Sequence, residues 1–285
     1  MTLPAKRLAK WLSRLNNRNS QREYYLTDVI GLAVRDRVAV QPLIAADEQE
    51  VQGVNDRIQL AAAENAWRAR QVRQLMLDGA TLSDPARVDV RGTVSVGQDV
   101  VIDVNVVLEG TVRLGDNVRI GPNCLIRNAQ IDAGTEVFAH CVIDRALIGP
   151  NCNIGPFARL RPESVLAESV HIGNFVEIKK TRIGARTKAN HLTYLGDATV
   201  GAGVNVGAGT VICNYDGINK WPTTIEDDVF IGSGSMLVAP LTIGAGANIG
   251  AGSTISRVAP AGQLTVARTR QVTIPGWKRP TKRST

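Results

Sequence analysis

Three histidines (His140, His171 and His191) and two cations (Arg161 and Lys179) are the residues of this 285-residue sequence best suited to chemistry. Imidazole exchanges protons near neutral pH, so an outward histidine beside a groove is a candidate general base. Two neighbouring cations repel unless an anion sits between them, so such a pair is either a phosphate clamp or two splayed, solvated side chains. Three convergent histidines would instead suit a metal ion. The four cysteines, Cys124, Cys141, Cys152 and Cys213, contain no C-x-x-C pairing and suggest neither a disulfide framework nor a zinc site. Which chemistry is available depends on the elements that hold these residues.

An internal repeat supplies those elements. From Val96 to Ile255 an aliphatic residue or alanine recurs every six positions, with occasional steps of five and one 12-residue insertion, giving 27 hexads. A small or branched residue often stands two positions earlier, as at Val100, Val112, Cys124, Ala158, Thr193 and Ser253. Side chains two apart on a strand share a face, so both positions point inward. Hexads of this kind resemble the left-handed parallel β-helix, a triangular prism with three hexads per coil. The runs between irregularities contain 6, 3, 6, 3, 3 and 6 hexads, so every irregularity falls at the same corner. About nine coils follow, stacked roughly 4.8 Å apart. The glycine strings at 201–209 and 244–252 are in phase with the hexads, which makes them corner residues and not phosphate loops.

The prism turns the sequence into a map. Asn174, His191, Ala208, Ser233 and Ala251 stack along one corner, so His191 opens a ladder of small residues. Arg161 and Lys179 stack on adjacent coils of another side, pointing outward. His140, His171 and His191 fall on the third, fifth and sixth coils, too far apart in height to share a metal ion. The insertion Cys213–Thr224 leaves at a corner carrying exposed Tyr215 and Trp221, which a neighbouring subunit is expected to cover.

Composition limits the function classes. With 33 Lys+Arg against 26 Asp+Glu the net charge is +7, and no acidic residue follows Asp228. Arg257, Arg268, Arg270, Lys278, Arg279, Lys282 and Arg283 therefore form a basic tail, which is either solvated or holds a polyanion. No nucleic-acid partner is expected, since no aromatic platform accompanies it. No stretch approaches the roughly 18 apolar residues of a membrane span, and residues 1–17 lack an apolar run of signal-peptide length, so a cytoplasmic protein is expected.

The segments 155–162 (GPFARLRP), 173–180 (GNFVEIKK), 191–197 (HLTYLGD) and 213–217 (CNYDG) resemble the acetyltransferase half of a bacterial enzyme family. It is the bifunctional N-acetylglucosamine-1-phosphate uridyltransferase / glucosamine-1-phosphate N-acetyltransferase family. Segments 19–28 (NSQREYYLTD) and 51–55 (VQGVN) resemble the end of its uridyltransferase domain. The resemblance implies a mainly β chain. Residues 1–54 would be a short α/β uridyltransferase remnant, 55–79 a linking helical arm, 80–256 the β-helix and 257–285 the basic tail.

The resemblance also implies roles. His191 would be the general base. Arg161, Lys179, Tyr194, Asn205, Asn214, Tyr215 and Lys220 would bind glucosamine 1-phosphate, with Lys220 reaching a neighbouring subunit's site. Ala208, Ser233, Ala251 and Arg268 would bind acetyl-CoA, and the chain would form a homotrimer. Asn55 matches a magnesium position, but the family's glycine-rich nucleotide loop and magnesium-binding Asp have no counterpart in the sequence, so uridyl transfer is not expected. The alternatives are a structural β-helix or an acyl-CoA-binding β-helix with a different amino-sugar acceptor.

Overall fold

The computed structural model describes residues 1–279; Lys282 and Arg283 of the basic tail lie outside the described residues. The chain divides into two compact units, 1–63 and 64–285. In the first, helix α1 (Ala5–Leu12) buries Trp11, which packs with Val29, Leu32 and Ala33 of helix α2 (Asp28–Arg35). The Trp11 indole N–H donates to Asp36 at 3.0 Å and Arg14 pairs with the same carboxylate. These two partners hold the Asp36 carboxyl below its ordinary range. This unit contains helices and no strand, which corrects the expected α/β character. Leu43 and Ile44 lie almost fully exposed in irregular chain, with no neighbouring strand to supply hydrogen bonds. Helix α3 (Arg57–Leu77) begins in this unit.

The second unit is a parallel β-solenoid of hexapeptide repeats, as expected of a left-handed β-helix. One face carries eleven parallel strands in register, from Ala80–Leu82 to Leu264–Thr265. Of the 27 hexad positions all but Val96 are buried, and Val96 packs against the same core. Val72 and Leu75 of α3 join that core. The second inward positions are equally buried, including Cys124, Cys141 and Cys152. Most of the hydroxyls among them bond to carbonyls, as Thr181 Oγ1 does to Leu195 O and Thr187 Oγ1 to Gly201 O, whereas the buried Thr223 Oγ1 has no partner among the described residues.

The count of nine coils is corrected upward to just over ten. Leu82 and Val90 pair below the first hexads, and above the last ones Ala259 bridges Ile243 while Leu264–Thr265 pairs with Asn248–Ile249. The solenoid therefore runs past residue 256 into the segment read as tail. The hexad spacing conceals these coils, because the steps Leu82–Val90 and Ile255–Ala259 are not six residues and Thr265 replaces an aliphatic side chain.

Candidate active site

The corner ladder read from the sequence exists. Asn174 stands opposite His191 in neighbouring parallel strands, and Asn174 Oδ1 lies 2.6 Å from His191 Nδ1. With the amide oxygen as acceptor, Nδ1 carries the ring proton, and Nε2 keeps its lone pair for a substrate proton. The imidazole is exposed. Asn174 belonged to the sequence ladder; its role in fixing the imidazole was missed.

Above His191 the ladder rises through backbone hydrogen bonds. Gly209 N donates to His191 O, Gly234 N to Ala208 O at 2.7 Å, and Gly252 N to Ser233 O at 2.8 Å. The Ala251 carbonyl accepts from Arg268 Nη1 at 2.7 Å. Arg268, on the basic tail, thus lies at the head of the small-residue ladder, while Ser233 and Ala251 are exposed along it and Ala208 is half-buried.

The cation pair occupies the neighbouring side, where a column of outward side chains alternates in charge. Arg91, Glu109, Arg127 and Asp144 stand in successive register, and Arg127 pairs with Glu109 at 2.8 Å. At about 4.8 Å per coil such alternation is favourable. It continues to Arg161 and then breaks, because the next residue up is Lys179, with Arg161 N donating to Ile178 O. Each of the two cations has a carboxylate partner within the chain: Arg161 Nη1 pairs with Glu177 at 2.8 Å, and Lys179 Nζ with Asp197 at 3.0 Å.

Asp197 Oδ2 also accepts from Asn214 Nδ2 at 2.5 Å, at the root of the insertion. Burial opposes the charge on Lys179, but the Asp197 carboxylate beside it outweighs the burial and raises the pKa. Tyr194 curls over Gly196, where any side chain would strike its hydroxyl. Asn205 lies apart, on the strand Asn205–Val206 of the histidine-bearing face, three residues before Ala208.

The insertion is a small hairpin. Tyr215 and Lys220 form an antiparallel bridge and Trp221 N donates to Asn214 O. Asp216 organises it, accepting from Ile218 N, Asn219 N and Trp221 Nε1, and these bonds lower its pKa to about 2. The hairpin sets Lys220 beside Lys179 of the same chain. The Lys220 pKa is lowered, first by Lys179, with Arg161 adding to it. Lys220 and Asp197 line a cavity of about 580 Å³ with Lys180, Arg182 and Trp221.

Asn55 does not fit a metal site. Its backbone N–H donates to Gln59 Oε1, and among the described residues no group of three His, Cys, Asp or Glu could hold a metal ion. His140 stacks on Phe157, and His171 lies 3.3 Å from the Asn153 amide, each well away from His191.

Two family descriptions match, the GMPPB C-terminal domain over residues 90–191 and the bacterial transferase hexapeptide (six repeats) over 222–257. Among curated relatives, the bifunctional protein GlmU of Chromobacterium violaceum is 55% identical over 100% of this chain and 62% of its own length. GlmU of Stenotrophomonas maltophilia is 57% identical over 97% of this chain and 61% of its own length. GlmU of Bordetella parapertussis is 55% identical over 100% and 62%. The chain is thus homologous along its length to the bifunctional GlmU proteins, of which it spans somewhat less than two thirds.

Proposed function

We propose that the chain is an acyltransferase that moves acetyl from acetyl-CoA to the amine of glucosamine 1-phosphate. The observation that carries this reading is the placement of His191. Its exposed imidazole, oriented by Asn174, stands at the foot of a side-chain-poor ladder and on the coil above a paired Arg–Lys cluster. His191 Nε2 takes a proton from the attacking amine as the N–C bond to the acetyl carbon forms. The tetrahedral carbon then expels the coenzyme A sulfur, breaking the C–S bond, and the thiolate is reprotonated.

Arg161, Lys179 and Lys220 meet the sugar phosphate, with Tyr194, Asn205, Asn214 and Tyr215 about the sugar. Ala208, Ser233 and Ala251 leave backbone open to the pantetheine arm, Ser233 assists at the thioester oxygen or leaving sulfur, and Arg268 takes a coenzyme phosphate. The exposed Tyr215, Ile218 and Trp221 suit burial against a second subunit of a trimer. The product would feed UDP-N-acetylglucosamine and cell-envelope synthesis in the cytoplasm. No step is assigned to magnesium or to uridyl transfer, since Asn55 has no gathered carboxylates.

The test is thiol release from acetyl-CoA with a panel of acceptors. Release should depend on glucosamine 1-phosphate and fall strongly with unphosphorylated glucosamine. Equal release with both, or none with either, would overturn the assignment. With UTP, magnesium and N-acetylglucosamine 1-phosphate, pyrophosphate release should stay at background.

A further inference from the structure

Resting on that functional reading, we infer that Asp197 is a positioning residue of the acceptor site. A single carboxylate oxygen fixes the Lys179 ammonium and the root of the insertion that carries Lys220, so the acceptor phosphate meets two preset cations.

Asp197 lies at the corner that ends the strand Tyr194–Val200's run over Lys179, with φ of 51° turning its side chain back over the cluster. Lys179 pairs in register with Gly196, the residue before Asp197, which brings its ammonium to 3.0 Å from the carboxylate. The ion pair is sheltered, with side chains 17% and 11% exposed, against 39% and 34% for Arg127–Glu109 lower on the same side. A sheltered pair behaves differently from a surface one, because removing one partner leaves the other charge poorly solvated.

Here the stranded charge would be Lys179, already flanked by Arg161 and Lys220. Without the carboxylate, the ion pair left to the three cations among the described residues is that of Arg161 with Glu177. Like-charge repulsion then drives Lys179 away or strips its proton. The second consequence is mechanical. Asn214 is buried, its side chain donates to Asp197 and its carbonyl accepts from Trp221 N, so it closes the insertion at both ends. Losing Asp197 therefore releases both the cation below and the hairpin that places Lys220.

The test compares kcat/KM for glucosamine 1-phosphate and for unphosphorylated glucosamine in wild type, Asp197→Asn, Asp197→Ala and Lys179→Met, with acetyl-CoA affinity followed by calorimetry. Asp197→Asn should reduce the preference for the phosphorylated acceptor at least about tenfold, the scale of one hydrogen bond to a charged group. Acetyl-CoA affinity should be unchanged, and adding Lys179→Met to Asp197→Asn should cost little more, since both remove the same placement. A purely structural role would lower both acceptors in proportion, and that result overturns the inference. If Asp197→Ala fails to fold, the near-isosteric Asp197→Asn decides. A wild type without preference for the phosphorylated acceptor overturns the functional reading itself. A wild type with preference, matched by an equal preference in Asp197→Asn, overturns this inference alone.

Discussion

One corner of the solenoid is built in two ways. Its lower part stacks His140, Phe157, Phe175 and Leu192, and its upper part stacks Gly209, Gly234 and Gly252. All seven occupy the left-handed region, with φ of 62°, 58°, 56° and 50° below and 73°, 71° and 70° above. The backbone shape is therefore the same, and the lower half shows that bulky residues can adopt it although left-handed backbone costs about 1–2 kcal/mol per residue. There the side chains recover part of that cost by packing, since the His140, Phe157 and Phe175 rings stack at 4.8 and 5.3 Å. The upper glycines are thus not explained by conformation alone. They leave the corner bare from His191 to Arg268, and this bare strip is the groove assigned to acetyl-CoA.

The sharpest break should come at the junction of the two halves. His191→Ala is expected to reduce acetyl transfer by about 10²–10⁴-fold, the usual contribution of a general base, with acetyl-CoA affinity intact. Turnover within about tenfold of wild type would remove His191 from the chemistry. At the head of the groove, Arg268→Ala should weaken acetyl-CoA by about 10- to 100-fold, the scale of the ~1.5–3 kcal/mol of a charge-assisted hydrogen bond, and flatten the salt dependence of binding. An unchanged salt slope would leave Arg268 as a cover for the Ala251 carbonyl.

The insertion offers a pH test. The Asp216 carboxyl has its pKa lowered from 3.8 to about 2, so it stabilises the hairpin above pH ~4 and that contribution is lost as pH falls through ~2. The Trp221 indole N–H resonance should report this loss in acid, and Asp216→Asn should show the loosened hairpin already at neutral pH. A Trp221 resonance unaffected by both would contradict the role given to Asp216. The smallest effect belongs to the lower corner. Phe175→Gly removes about 0.5–1.5 kcal/mol of stacking while relieving about 1–2 kcal/mol of left-handed strain. Stability should move by no more than about 1.5 kcal/mol and acetyl-CoA affinity not at all.

The inward hexads were legible because the narrow prism selects side chains strictly: Ile120, Ile154, Ile178 and Ile249 repeat at positions buried from solvent. The same periodicity placed His191, Arg161 and Lys179 by register. What it did not reveal are contacts made sideways or at corners. Glu177, two residues before Lys179 on the same strand face, and Asp197, one coil above, neutralise the cation pair. Both could have been found by extending the hexad map to acidic residues. The course of the insertion could not, because the Asp216 bonds that fold Lys220 back follow no repeat. The terminal coils were missed where Thr265 and Ala259 weaken the aliphatic signal.

The central claim, that the bare upper corner is the acetyl-CoA groove, is tested most directly by filling it. A side chain at Gly252 meets nothing within 4 Å, so Gly252→Phe should fold at the modest cost the lower corner already bears. Calorimetry should then show acetyl-CoA binding weakened by at least about 1.4 kcal/mol, tenfold in affinity. A folded Gly252→Phe protein that binds acetyl-CoA as tightly as wild type would contradict the claim.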